Sequence, residues 1–204
     1  MAAAGRVVTG FSKPYVALYQ SSGGTVSYTS GRVLARGVSV ALSIETGGEN
    51  KFYADNGQAE TAGGTFTGGT ATLTVDGLLP EAETLVLGLP EAEQVTVGDA
   101  PVDVRSYGED VKIPYVGIGY ITRYMSDGVV SYEPTVLTKA KIHTPNDNAT
   151  TQGEEIEWQT QALTLDLMRD DSPNRRWKRV GAAQETEVKA EEVVKALLNI
   201  EEGP

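Results

Sequence analysis

The sequence predicts a mostly-β protein: a β-sandwich or barrel-like pair of antiparallel sheets, with one short internal helix and a C-terminal helix. Three observations carry that prediction. Apolar residues alternate with period two over much of the chain, as in Val38, Val40, Leu42 and Ile44 set against Ser39, Ala41, Ser43 and Glu45. Gly, Asn and Asp clusters punctuate these runs as turns do. Helical spacing occurs in only two places, near residues 80–87 and 187–200. With 204 residues and 40% hydrophobic content, the chain can bury one sizeable core, so 1–204 reads as a single domain.

Residues 6–75 read as strands. Val16 and Leu18 alternate with tyrosines and alanine, and Ala71, Leu73 and Val75 alternate with threonines, whose β-branching favours extended backbone. Residues 47–69 interrupt them with Gly47, Gly48, Glu49, Asn50, Gly57, Gly63 and Gly64 around a short Lys51–Ala54 run. Such a stretch predicts a projecting loop or hairpin, ordered on assembly and contacting another subunit. Pro80 at a first turn, Glu81 and Glu83 near the positive helix end and Gly88 past the finish predict a helix over 80–87, with Ala82, Leu85 and Val86 as its apolar stripe. LPEAE recurs at Leu79 and Leu89, too closely for an architectural repeat, and its second copy runs into strand-like 94–97.

After Pro114 a hairpin is predicted. Val116, Ile118, Tyr120, Thr122 and Tyr124 share one face, and Val130, Tyr132, Pro134, Val136, Thr138, Ala140 and Ile142 share one face of the return strand. Those sets coincide if the turn is the three-residue loop Ser126-Asp127-Gly128 rather than Asp127-Gly128 alone. Pro134 lacks an amide donor, which predicts an edge or a bulge there. Residues 144–151 form a polar loop leading into 152–171, read as one long strand. Ile156 and Trp158 are buried on one face of it, and Leu163, Leu165 and Leu167 fall on the other parity. A bulge near 160–162, or a change of partner, reconciles the two. The C-terminal helical region spans 185–200, its periodic part from Glu187. Val193, Leu197 and Ile200, flanked by Val194 and Leu198, form the stripe, which needs a partner in its own sheet or a neighbour's.

Composition narrows the function classes. Zero Cys excludes disulfides and thiolate chemistry and suits a reducing cytoplasm. No apolar run approaches the roughly 20 residues of a membrane helix, and the N-terminal MAAAGRVVTG lacks signal-peptide character. A formal charge of −11 argues against a nucleic-acid grip. Arg175, Arg176, Lys178 and Arg179 surround Trp177, a pattern that can bind single strands but reads better as a cationic patch facing an acidic neighbour. His143 is the only histidine, at a strand end without a nucleophile spelling nearby. Gly117 and Gly119 lack the third glycine and the following helix of a dinucleotide loop. Glu154, Glu155 and Glu157 read as a solvated face rather than a carboxylate pair for hydrolysis. No catalytic, cofactor or metal set is read from the residues, and the chain is taken as a non-enzyme.

The FYADN of residues 52–56 and the QGEEIEWQT of residues 152–160 carry a further signal. Together with FSKPYVALYQ, VSYTSGRVLARGVSVALSIET and YVGIGYITRYMSDGVVSYEPTVLTKAKIHTPNDNATT, they resemble the major tail (tube) proteins of long-tailed bacteriophages, over about residues 11–177. The resemblance implies a structural virion protein, assembled in the host bacterial cytoplasm. Its six-fold rings stack head to tail into a tube through which DNA passes unbound. It also implies partners: further copies of itself, tail tip and terminator proteins and a tape measure, with no membrane. In such proteins a long loop reaches the neighbouring ring, which would fall to residues 47–69. An acidic lumen would keep DNA mobile, and Glu155, Glu157 and, less directly, Glu133 are the candidate lining acids because they lie on polar strand faces. A tube protein of a contractile secretion system and a carbohydrate-binding β-sandwich are the alternatives. Two Trp spread along the chain fit the latter poorly.

Overall fold

A computed structural model describes residues 5–109 and 111–201. The first four residues, read above for signal-peptide character, and the last three of the single-domain span lie outside the described residues. The elements run β1 (Val7–Ser22), β2 (Thr25–Val33), β3 (Gly37–Thr46), β4 (Asn50–Ala54), β5 (Gly57–Ala62), β6 (Phe66–Val75), α1 (Pro80–Leu87), β7 (Glu93–Val97), β8 (Ala100–Val104), β9 (Tyr115–Ser126), β10 (Val129–Ile142), β11 (Gln161–Met168), β12 (Lys178–Val180) and α2 (Glu187–Leu197). The main sheet is ordered β2-β1-β9-β10-β11-β6-β3, every pair antiparallel. The mostly-β, sandwich-like architecture with two helices is therefore the one the alternation predicted.

The sheet folds over at β10. Its C-terminal half pairs with β11, from Lys139↔Met168 to Ile142↔Leu165, while Thr135, Val136 and Leu137 pair with β12. The main core fills the fold between the two halves. Val16, Val116, Ile118, Tyr120 and Leu137 come from one side, and Leu163, Leu165, Leu167, Ala71 and Leu73 from the other. Helix α1 closes this core with Ala82, Val86 and Leu87. It begins at Pro80 and ends at left-handed Gly88, where a Cβ would strike the Lys112 carbonyl.

A second, smaller core lies on the outer face of the same sheet, under α2. Gly117 and Gly119 of β9 leave the room: a Cβ on either would collide with Leu198, and with Tyr28 or Val194 respectively. Ala190, Val194 and Leu198, one turn apart, are fully buried there with Ile121 and Val136. The C-terminal helix thus covers its own sheet. It begins at Glu187, where the periodic part was expected to start, two residues inside the 185–200 region. It ends at Leu197 rather than residue 200, and has its stripe centred one position away from the predicted Val193 and Leu197. Thr186 caps it by accepting from the Lys189 amide.

The β9–β10 hairpin departs from expectation in its turn. Ser126 pairs with Val129, so the loop is the two residues Asp127 and Gly128, with φ of 48° and 77°. A three-residue loop would match one apolar face to another, but β9 is buried on both faces from Val116 to Ile121, so no such match is required. The return strand also changes parity. Leu137 opposes Ile118 and Ala140 opposes Val116, so one extra residue bulges between them. Val136 consequently faces α2 while Leu137, Ala140 and Ile142 face the main core, so Val136 parts from Ala140 and Ile142, with which it was expected to share a face. Thr138 sits in the bulge, fully bonded: its amide donates to the Trp177 carbonyl (3.1 Å), its hydroxyl to the Arg176 carbonyl (2.8 Å), and its own carbonyl accepts from Tyr28 (2.8 Å). Pro134 is interior rather than at an edge. Its carbonyl accepts from Gly181, so its missing donor falls on the side where only short β12 lies alongside.

The largest correction concerns 152–171. Only 161–168 is strand, and 143–160 holds neither strand nor helix. Ile156 is 58% and Trp158 87% exposed, so neither is a core residue. No bulge joins the two parities, because they belong to different structures.

Candidate assembly surfaces

Residues 47–65 leave the main sheet as a separate hairpin, β4–β5, every strand residue of which is exposed. The predicted projection is present, though shorter than 47–69, because Phe66 to Gly69 already belong to β6. Asp55 and Asn56, with φ of 50° and 60°, make its two-residue turn between Ala54 and Gly57. At its base Gly47 donates to the Thr65 carbonyl, and Gly63 lies so close to Gly48 and Glu49 that a Cβ would overlap their backbone. Gly48 and left-handed Gly64 flank that crossing, Glu49 pairs loosely with Lys51 at 3.9 Å, and Asn50 opens β4. Phe52 and Tyr53 are each 62% exposed. A two-stranded hairpin of this kind is marginal in water on its own.

A second free hairpin, β7–β8, was half missed. Val95 pairs with Val102, Glu93 with Val104 and Val97 with Ala100, so one face is apolar apart from Glu93, and it is exposed. Gly98-Asp99 between two alternating runs was the signal that could have found its second strand. The hairpin is followed by Arg105 and Tyr107, which both bond Glu83 of α1.

Of the three acids expected on strand faces, only Glu133 lies on a strand. Glu155 and Glu157 stand on the 143–160 segment rather than on a strand. Glu133 is on β10 but is engaged by Arg6 at 2.7 Å, and that guanidinium also lies 3.7 Å over the Tyr124 ring. Burial and this pairing remove Glu133 from a free acidic wall. His143, beside the same segment, bonds Asp166 at 2.8 Å in an exposed position.

The basic cluster is split by burial. Trp177 turns inward and stacks on Phe66, centroids 4.7 Å apart and planes within 4°. It is therefore not a platform for bases. Arg175, Arg176 and Arg179 remain exposed. The loop before them is built on Asp170, whose buried carboxylate accepts from the amides of Ser172 and Arg176 and from the Ser172 hydroxyl.

Glu191 of α2 is the most heavily engaged ionisable group. Burial would push its carboxyl up, but hydrogen bonds from Lys13, Tyr15 and Lys195 outweigh that and hold it at about 2. Burial and the same carboxylate push the Tyr15 phenol up to about 12. Lys13 reaches Glu191 from a left-handed position (φ 50°) where β1 bulges against β9. This network fastens α2 to the sheet. It borders an open cleft of about 470 Å³ lined by Ser12, Lys13, Tyr15, Arg36, Glu187 and Glu191. No protein-family model matches the chain, and no curated protein matches its sequence.

Proposed function

We propose that this protein is a self-assembling structural subunit, the tube protein of a long-tailed bacteriophage. The observation that carries the reading is the β4–β5 hairpin, a segment projecting wholly into solvent with two aromatic side chains on it. Nothing in the subunit's own core rewards its order, and docking on a neighbouring copy would. The outer edges of β2 and β3, with which no further strand pairs among the described residues, support the same reading. Exposed edges are hazards in a monomer and are satisfied when another chain pairs with them. A heterologous contact closes a ring where rotation returns to its start and stays open where translation remains.

Negative-stain microscopy of the purified protein tests this directly. Rings or tubes are expected from the full chain, and a variant with 48–64 replaced by a short turn should give folded subunits that do not elongate. Only monomers from the full chain at high concentration, or normal tubes from the shortened one, would overturn the assignment.

A further inference from the structure

We propose that the acidic segment around Glu154–Trp158 of one copy docks in an arginine-lined cleft of a second copy. As one contact of the assembly proposed above, it rests on that reading for the shape of the product, while the contact itself follows from charge and exposure.

The cleft, about 420 Å³, lies between β2, α2 and the turn before β12. Arg176 and Arg179 line it together with the apolar Val26, Ala196 and Leu197 and with buried Asp170. From 172 to 184 there are four cationic residues and no acid. The neighbouring acids are already committed: Asp170 holds its own loop, and Asp171 bonds Lys139 and Tyr19, each at 2.8 Å. Neither Arg176 nor Arg179 forms an ion pair among the described residues. Guanidiniums beside apolar side chains suit a carboxylate flanked by an aromatic or aliphatic side chain.

Segment 143–160 has that chemistry. It carries Asp147, Glu154, Glu155 and Glu157 and no Lys or Arg. Ile156 and Trp158 alternate with those glutamates and are exposed at 58% and 87%. An extended Glu-Ile-Glu-Trp run can present its acids to the guanidiniums and its apolar side chains to the apolar residues beside them. It leaves β11 at the N-terminal end, whereas the basic turn follows the C-terminal end. Eight residues of strand at about 3.3 Å each separate them, so the arrangement joins copies head to tail. The chain's net charge of −11 favours this occupant over nucleic acid.

Two charge-reversed variants test it: Arg176→Glu with Arg179→Glu, and Glu155→Lys with Glu157→Lys. All four positions are exposed, and circular dichroism with thermal melting checks that both variants fold as the wild type does. Sedimentation velocity should show wild-type self-association that weakens as salt rises. Each variant alone should associate at least about tenfold more weakly. An equimolar mixture should recover association, since the acidic segment of one meets the retained arginines of the other and the reversed pair is again opposite in charge. Recovery should be accompanied by a blue shift of Trp158 emission.

A wild type that stays monomeric at all concentrations, variants that associate normally, or a mixture without recovery would each overturn the proposal. So would a single-stranded oligonucleotide bound through Arg176 and Arg179 while self-association is unaffected by their reversal, which would assign the cleft to nucleic acid. Tubes formed by each variant alone would sink this contact and leave the tube reading standing. Charge-swap recovery without rings or tubes would do the reverse.

Discussion

The two tryptophans show how burial rather than residue type decides energetic weight. Trp177 stacks on Phe66 against the main core, and Trp158 stands almost free. Trp177→Ala should cost about 2–4 kcal/mol, toward the low side for a large aromatic because the ring is half-buried. Trp158→Ala should change the monomer by no more than about 0.5 kcal/mol. Chemical denaturation of both variants checks this, and equal losses would contradict the burial assignment. Glu191 gives a second residue-scale expectation. Its folded carboxyl is held at about 2, below the ordinary 4.5. Stability from it is therefore complete above about pH 4.5 and is lost as pH falls toward 2. Glu191→Gln should cost roughly 1–3 kcal/mol at neutral pH, because Lys13 and Lys195 lose their carboxylate. It should also flatten the loss of stability between pH 4.5 and 2. A wild-type slope retained in the variant would place that proton uptake elsewhere.

At the scale of elements, the two free hairpins behave differently from the strands that bury side chains. Replacing 48–64 with a short turn should leave the melting temperature within about 2 °C of the parent, since β4 and β5 contribute nothing to either core. A large drop in a calorimetric scan would mean that the hairpin stabilises the monomer after all. Legibility in the sequence followed the same division. Helix α1 could be read to the residue because Pro80 and Gly88 act locally, through fixed φ and a left-handed cap. Strand β6 was legible because it buries one face. Strand β3 was legible because Val40 and Leu42 pack on the core at period two, although Val38 and Ile44 of the same predicted face are exposed. The β9–β10 turn was not, since Gly117 and Gly119 hide a second buried face that only α2 explains. Segment 152–160 imitates a strand, its Ile156 and Trp158 alternating with glutamates. The parity break before Leu163 was the mark of a new element rather than of a bulge. Of the expected assembly features, the projection at 47–65 was legible from glycine content. The fates of Glu133, Glu155 and Glu157 were not, because partner choice and loop path are tertiary.

Across the whole molecule, burial is concentrated where β9 and β10 lie between two cores. Val116, Ile118 and Leu137 pack inward to the fold of the sheet, while Ile121 and Val136 pack outward under α2. Opening either strand would empty both cores, so those amides should exchange only through global unfolding. The hairpins and residues 143–160 have no such coupling: their opening exposes little apolar surface that is not already in water. Hydrogen exchange on dilute protein should therefore show its slowest amides in β9 and the core-facing part of β10. Exchange should be orders of magnitude faster in 50–62, 93–104 and 143–160. Raising the concentration until copies associate should leave β9 unchanged and slow the amides of β4, β5 and residues 154–158 selectively, because those segments gain a partner. Strong protection of β4 and β5 already in the dilute monomer would show that they are stable without a neighbour, and would remove the reason for expecting them to seek one.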